Sequence, residues 1–342
     1  YTLPELIGTQ YDHRVRLGAS ALILVAWIGV IAAQIVASGK LLSALFGHGQ
    51  VYFMIISAAV FVIYTAHGGQ RSIVRTDLLQ FSILLAGIGL VLWKALNLTG
   101  LEILSGLSFP TSPARSGPDV MSLVLIVGSM YLVGPDIYSR LFSARNPGAA
   151  RRSALIAAFV LVPMALAITL LGICARDLFP GIGPEEALPV LMTETLSPAG
   201  QGLVAAALLS ALISSADTTL LTATSILTLD LYRTARPKST KKDLMKVSRA
   251  GAVLLGTLAL ASALRLPEII ATLLSAYTVF AGGLTIPVVA GFYKDKLGLT
   301  PTGALAALAG GGGTALLLGN KWPLLGMAVS AALLIVVSRI TR

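Results

Sequence analysis

The stretch LVAAALLSALISSADTTLLTATSILTLDLY, residues 203–232, decides how the rest of the chain is read. It contains neither Lys nor Arg, and its acids are Asp217 and Asp230. An α-helix needs roughly 20 mostly apolar residues to cross a bilayer's hydrocarbon core. Within this run Ser210, Ser214, Asp217, Thr218, Thr222 and Ser225 recur at helical spacing as one polar stripe, edged by Ser215 and Thr219. Leu208, Leu209, Leu212, Ile213 and Leu220 fill the remainder. Intramembrane polar groups are costly and point to function. Helix packing explains single hydroxyls, which bond across to a neighbour or back to their own helix. A stripe of six that includes a carboxylate asks for more. Hydroxyl, carboxylate and carbonyl oxygens are the hard ligands that a small, hard cation prefers.

The rest of the chain agrees with a membrane setting. Of 342 residues, 56% are hydrophobic and 12% charged, with mean hydropathy +0.85. Soluble domains hold about 25% charged residues, so a soluble enzyme, a disordered tail and a disulfide-rich module are excluded. Cys174 is the single cysteine, and His13, His48 and His67 lie in separate segments, so no metal-ligand spacing is visible. Ten apolar spans are expected, at about 17–46, 51–66, 77–96, 119–142, 152–176, 200–230, 248–265, 267–293, 300–319 and 323–339. Turn chemistry separates them: GHGQ (47–50), HGGQ (67–70), SFPTSPARSGP (108–118), FPGIGP (179–184) and RPKSTKK (236–242).

The net charge of +10 hints at nucleic acid until its placement is read. Of 25 basic residues, 19 fall in alternate connections, seven of them between Arg233 and Arg249. That is the positive-inside pattern, and it predicts both chain ends on the cytoplasmic side. No nucleic-acid partner is expected.

Other intramembrane polar groups have structural explanations. Asp77 followed by Gln80 reads as a capping box at a helix start. Asp136 has Arg140 one turn away. Gly134-Pro135, and Gly282-Gly283 with Pro287, predict interrupted helices of the kind from which transporters build midplane sites. The run Gly310–Gly313 lacks the Lys and Ser/Thr of a phosphate loop and predicts close helix packing. No nucleophile–base arrangement or dinucleotide fingerprint appears, so no enzyme activity and no cofactor is expected.

Four stretches resemble the sodium:solute symporter family: TLPELIGTQYDHRVR (2–16), YTAHGGQRSIVRTDLLQ (64–80), the 203–232 run, and more loosely GPDIYSRLFSARNPGAARR (134–152). The resemblance implies an all-α, LeuT-type bundle of two inverted repeats forming one transporter domain over 1–342. Residues 1–96 would then supply core helices three to five, 119–293 core helices six to ten, and 300–342 two additional helices. It implies Na+ as the coupling ion, held by the Ala211 carbonyl and the Ser214 and Ser215 hydroxyls. A second cation or proton site would involve Asp77, Ser214, Asp217 and Thr218, with Asp217 standing where two-sodium members have a hydroxyl. Solute contacts fall at Gln34, Tyr131, Tyr277 and Thr278. The family's first core helices have no counterpart here, and a truncated sequence is the expectation.

The expected activity is sodium-driven symport of a small organic solute (an amino acid, a small carboxylate or similar) across the plasma membrane, with a zwitterion or neutral solute favoured over a dianion. The expected partners are solute, Na+ and the lipid bilayer, with a monomer as the working unit. Two other readings stand beside it: proton coupling through Asp77 and Asp217, and a solute-sensing module of a larger signalling protein.

Overall fold

In the computed structural model, residues 2–47, 49–67, 70–105, 111, 115–319 and 321–342 are described, with only the backbone described at 67 and 70–76. His48, Gly68-Gly69 and most of the 108–118 connection lie outside the described residues. The described chain is helical, with no strand. It opens with a short helix α1 (Leu3–Gln10), then α2 (His13–Phe46), α3 (Gln50–His67) and α4 (Gln70–Thr99). Next come α5 (Gly117–Val133), α6 (Pro135–Phe142), α7 (Pro147–Leu178), α8 (Ala187–Thr195) and α9 (Pro198–Ser225). A π turn, Ile226–Tyr232, carries α9 into α10 (Arg233–Ala235), followed by α11 (Lys241–Arg265) and α12 (Ile269–Phe280). A second π turn, Ala281–Thr285, leads into α13 (Ile286–Gly291), then α14 (Lys294–Leu297), α15 (Pro301–Leu318) and α16 (Leu325–Ile340).

All ten expected spans are helices. Among the described residues, eight are long and apolar enough to cross a membrane, and α3 and α16 are shorter apolar helices. The ends follow local chemistry. Asp12 caps α2 by accepting from the Val15 amide, and Gly47 closes it in the left-handed conformation at φ 67°. Ser197 and Thr300 cap α9 and α15 in the same way.

Two departures from the sequence reading, at Asp77 and at Gly282-Gly283, and one break that it expected, at Gly134, bear on function. Helix α4 begins at Gln70, so Asp77 lies two turns inside it and is not a cap. Gly134 is extended, at φ −65° and ψ 126°, and breaks the fourth span cleanly between α5 and α6. Gly282 and Gly283, expected at an unwound segment, instead sit in a continuous helix with a π turn. A Cβ on Gly282 would lie 2.8 Å from the Ala315 Cβ and 3.2 Å from the Gly326 Cα, so these glycines let α15 and α16 approach. Close packing also accounts for Gly311, where a Cβ would meet the Ser330 Cβ at 2.6 Å.

Helix α2 is apolar on all sides and is the axis of the bundle, touching α3, α9, α11, α12 and α15. Trp27 stacks on Phe280 beside it, with ring centroids 5.4 Å apart. A second apolar cluster joins α4, α7, α8 and α9 through Val91, Cys174, Leu191 and Val204. Helix α7 lies on the outside and turns large apolar side chains away from the protein, Phe159 being 81% exposed. A surface of that kind is stable only against lipid or another protein.

Candidate functional site

The site is built where α4 lies along α9. Their close approach depends on Gly87, because a Cβ there would stand 2.6 Å from the Ala207 Cβ. Ten residues before Gly87, Asp77 reaches across the same seam. Its Oδ1 accepts a hydrogen bond from the Ser214 hydroxyl at 2.6 Å. Its Oδ2 lies 3.7 Å from Arg140 Nη2 of α6, and Arg140 also donates to the Thr218 hydroxyl at 3.2 Å.

Asp217 belongs to α9 itself and is met by α3. It is only 2% exposed, and Thr65 of α3 donates to its Oδ1 at 3.2 Å. Two carboxylates and the hydroxyls of Thr65, Ser214 and Thr218 therefore gather about one stretch of α9. Arg140 makes its ion pair with Asp77 of α4, while its charge also acts on Asp136 one turn earlier in its own helix. A cavity of about 250 Å³ runs between α1, α6 and α9 and is lined by Asp77, Arg140, Thr218 and Ser225.

Ala211, Ser214 and Ser215 occupy one turn of α9. Ala211 and Ser214 are half-buried and Ser215 is exposed. The four solute-contact candidates divide differently. Tyr131 of α5 and Tyr277 of α12 lie close together near Asp136, beside the Gly134 break. Gln34 is half-buried on α2. Thr278 is buried, donates to the Leu274 carbonyl at 2.7 Å and turns its methyl toward Gly319 of α15.

The sequence reading did not anticipate three partners. Thr65 was one hydroxyl in an apolar span. Arg140 was read with Asp136 alone, without Asp77 across the seam. Asp230 was not singled out, yet it is fully buried, accepting from Arg16 Nη2 at 2.6 Å, Arg16 Nε at 2.9 Å and the Thr2 hydroxyl at 3.1 Å. The π turn holds this residue, and such a turn rotates everything after it relative to an α-helical stripe. A strict 3.6-residue projection therefore misplaces it.

On the opposite side of the bundle, Glu185 ties the end of α2 to the start of α12. It pairs with Lys40 and accepts from the Ile270 amide at 2.9 Å. Burial pushes the Glu185 carboxyl up, but the Lys40 and Ile270 hydrogen bonds and the Lys40 charge outweigh it and hold the group below its ordinary value.

A bundle of long apolar helices with one broken helix, π turns and an oxygen-rich cluster between its helices has the build of a multi-pass membrane protein. The chain matches the sodium:solute symporter family over residues 1–311 and belongs to it. It is similar to the sodium/pantothenate symporter of Haemophilus influenzae, 28% identical over 334 residues, 93% of this chain and 68% of that protein. It is also similar to the osmoregulated proline transporter of Bacillus subtilis, 24% identical, covering 96% and 69% of the two chains. The sodium/glucose cotransporter of Vibrio parahaemolyticus is 25% identical, with 74% and 54% covered. Among solved structures, a substrate-bound, outward-open Na+-coupled sialic acid symporter superposes with TM-score 0.81 at 18% identity, covering 99% of this chain and 77% of that one. The fold is thus the LeuT-type helical bundle, and the family's activity is sodium-coupled transport of a solute.

Proposed function

We propose that the protein carries a small organic solute, neutral or zwitterionic, into the cell with Na+ by alternating access. In this reading the Ala211 carbonyl and the Ser214 and Ser215 hydroxyls hold one Na+. Asp77, Asp217 and Thr218 serve a second cation, with Ser214 shared between the two sites. The observation that carries it is the 2.6 Å contact between Ser214 and Asp77 across the α4–α9 seam. It puts a hydroxyl and a carboxylate oxygen side by side, as ligands of one small hard cation must be. Sodium bound there would tie α4 to α9 and favour one state of the bundle, and its loss would release that bias. Tyr131 and Tyr277, beside the Gly134 break, with Gln34 and Thr278, are the groups proposed to meet the solute. A proton in place of the second sodium is a second reading, favoured by the burial of Asp217 with one hydroxyl donor.

Residues 1–96 and 119–293 are proposed as the two inverted repeats, with 300–342 as additional helices. The basic connections support an orientation with both ends of this chain in the cytoplasm, and the plasma membrane is the membrane proposed.

Ser214→Ala combined with Ser215→Ala tests the sodium assignment. In the full-length protein the pair should raise the sodium concentration needed for half-maximal uptake by at least about tenfold. Uptake with an unchanged sodium requirement would remove these residues from the site.

A further inference from the structure

An open cleft of about 580 Å³ separates the end of α3, the π turn after α9 and the first turns of α11. Its α11 wall is a single helix face, on which Lys241, Leu244, Met245, Ser248 and Arg249 follow at i, i+3, i+4, i+7 and i+8. Two cations therefore bracket an apolar pair, about 12 Å apart along the helix axis. The ion pairs among the described residues are Arg16–Asp230, Lys40–Glu185 and Arg140–Asp77, so neither Lys241 nor Arg249 has an acidic partner within reach.

The facing wall supplies an independent observation. Helical hydroxyls in this chain commonly donate to the carbonyl four residues earlier, as Ser38, Ser82 and Thr257 do. Thr228, which lines the cleft, does not. It is 4% exposed, and its hydroxyl makes no hydrogen bond among the described residues. It lies in the π turn, where the carbonyl register is shifted. A buried hydroxyl left unpaired costs free energy that an acceptor oxygen entering the cleft recovers. At the mouth, Met245 and Leu229 present exposed apolar side chains, Met245 being 57% exposed.

We propose that this cleft seats the headgroup of an anionic phospholipid. Lys241 and Arg249 bind the phosphate, Thr228 donates to it, and the acyl chains leave over Met245 and Leu229. A free phosphate ion satisfies the cations but gains nothing from the apolar pair between them, whereas an amphiphile uses both. Basic pockets between membrane helices bind anionic headgroups by this chemistry. The inference rests on the multi-pass membrane setting of the family and is independent of the coupling ion.

The test is native mass spectrometry of the full-length protein titrated with phosphatidylglycerol, phosphatidylcholine or inorganic phosphate. The variant Lys241→Gln/Arg249→Gln is set against Lys238→Gln/Lys242→Gln, which removes equal charge outside the cleft. Preference for phosphatidylglycerol should fall about fivefold for each cation removed from the cleft and persist in the second pair. Thr228→Val should weaken phosphatidylglycerol without changing phosphatidylcholine, and thermal melting reports whether each variant stays folded. If Thr228→Val unfolds, the two charge pairs decide alone. Equal loss in both pairs, absence of any preference, or displacement of the lipid by millimolar inorganic phosphate would each overturn the proposal.

Discussion

Asp77, Asp217 and Asp230 fall into two kinds: a pair met by hydroxyl donors about α9, and one gripped by an arginine. Asp77 reaches α9 from α4, Asp217 lies on the same stretch of α9, and they have hydroxyl donors in Ser214 and Thr65. Asp230 is different. Both Arg16 nitrogens and the Thr2 hydroxyl converge on its Oδ1, and the group is fully buried. Removing one partner of a buried pair leaves an uncompensated charge, at a cost of about 3–5 kcal/mol. Arg16→Gln should therefore lower the melting temperature of the purified protein far more than Arg14→Gln, which changes the same charge at an exposed neighbour. Equal melting of the two variants would show that the Arg16–Asp230 pair adds nothing. The stripe on α9 was legible because hydroxyls and a carboxylate recur at helical spacing in an apolar run. Thr65, Arg140 and Asp230 were not, because their meaning depends on which helix lies opposite, and a sequence read one span at a time carries no such neighbour.

Helices bring these residues together, and the seam between α4 and α9 matters most. Gly87 has the Ala207 Cβ where its own Cβ would be. Gly87→Val must push the two helices apart at a cost of about 1–3 kcal/mol, stretching the Asp77–Ser214 contact ten residues away. The expected result is weaker sodium dependence of uptake together with a lower melting temperature. Gly89→Val, where a Cβ meets nothing, should leave both unchanged. Full activity in Gly87→Val would show that the seam does not set the site. On the other side of the bundle, Glu185 holds the start of α12. Its carboxyl is more acidic folded than unfolded, so its stabilisation is present above the unfolded value and lost as pH falls through the folded one. Glu185→Gln should flatten the acid limb of a melting-temperature profile, and an unaltered limb would count against the tie. The ten spans were legible because apolar length and basic punctuation are local. The start of α4 was not: Asp77 and Gln80 mimic a cap, and only the turns before them reveal an interior position. The π turns were equally hidden, since Gly282-Gly283 marks a weak point in a helix without saying whether it unwinds, kinks or widens.

At the scale of the whole molecule, α2 forms a buried axis and α7 an apolar face turned outward, an arrangement that suits a bilayer. The positive charge that first suggested nucleic acid falls in alternate connections, the positive-inside pattern. Family membership adds sodium-coupled transport, and the groups around the α5–α6 break are those proposed to meet the solute. The central claim is that an inward sodium gradient drives solute uptake through this bundle. Proteoliposomes holding the full-length protein, offered a panel of labelled small neutral, zwitterionic and anionic solutes, measure it directly. Accumulation of a neutral or zwitterionic solute under an inward sodium gradient, abolished when potassium replaces sodium, is the predicted result. Equal accumulation in potassium, or accumulation driven by a pH gradient without sodium, would contradict it.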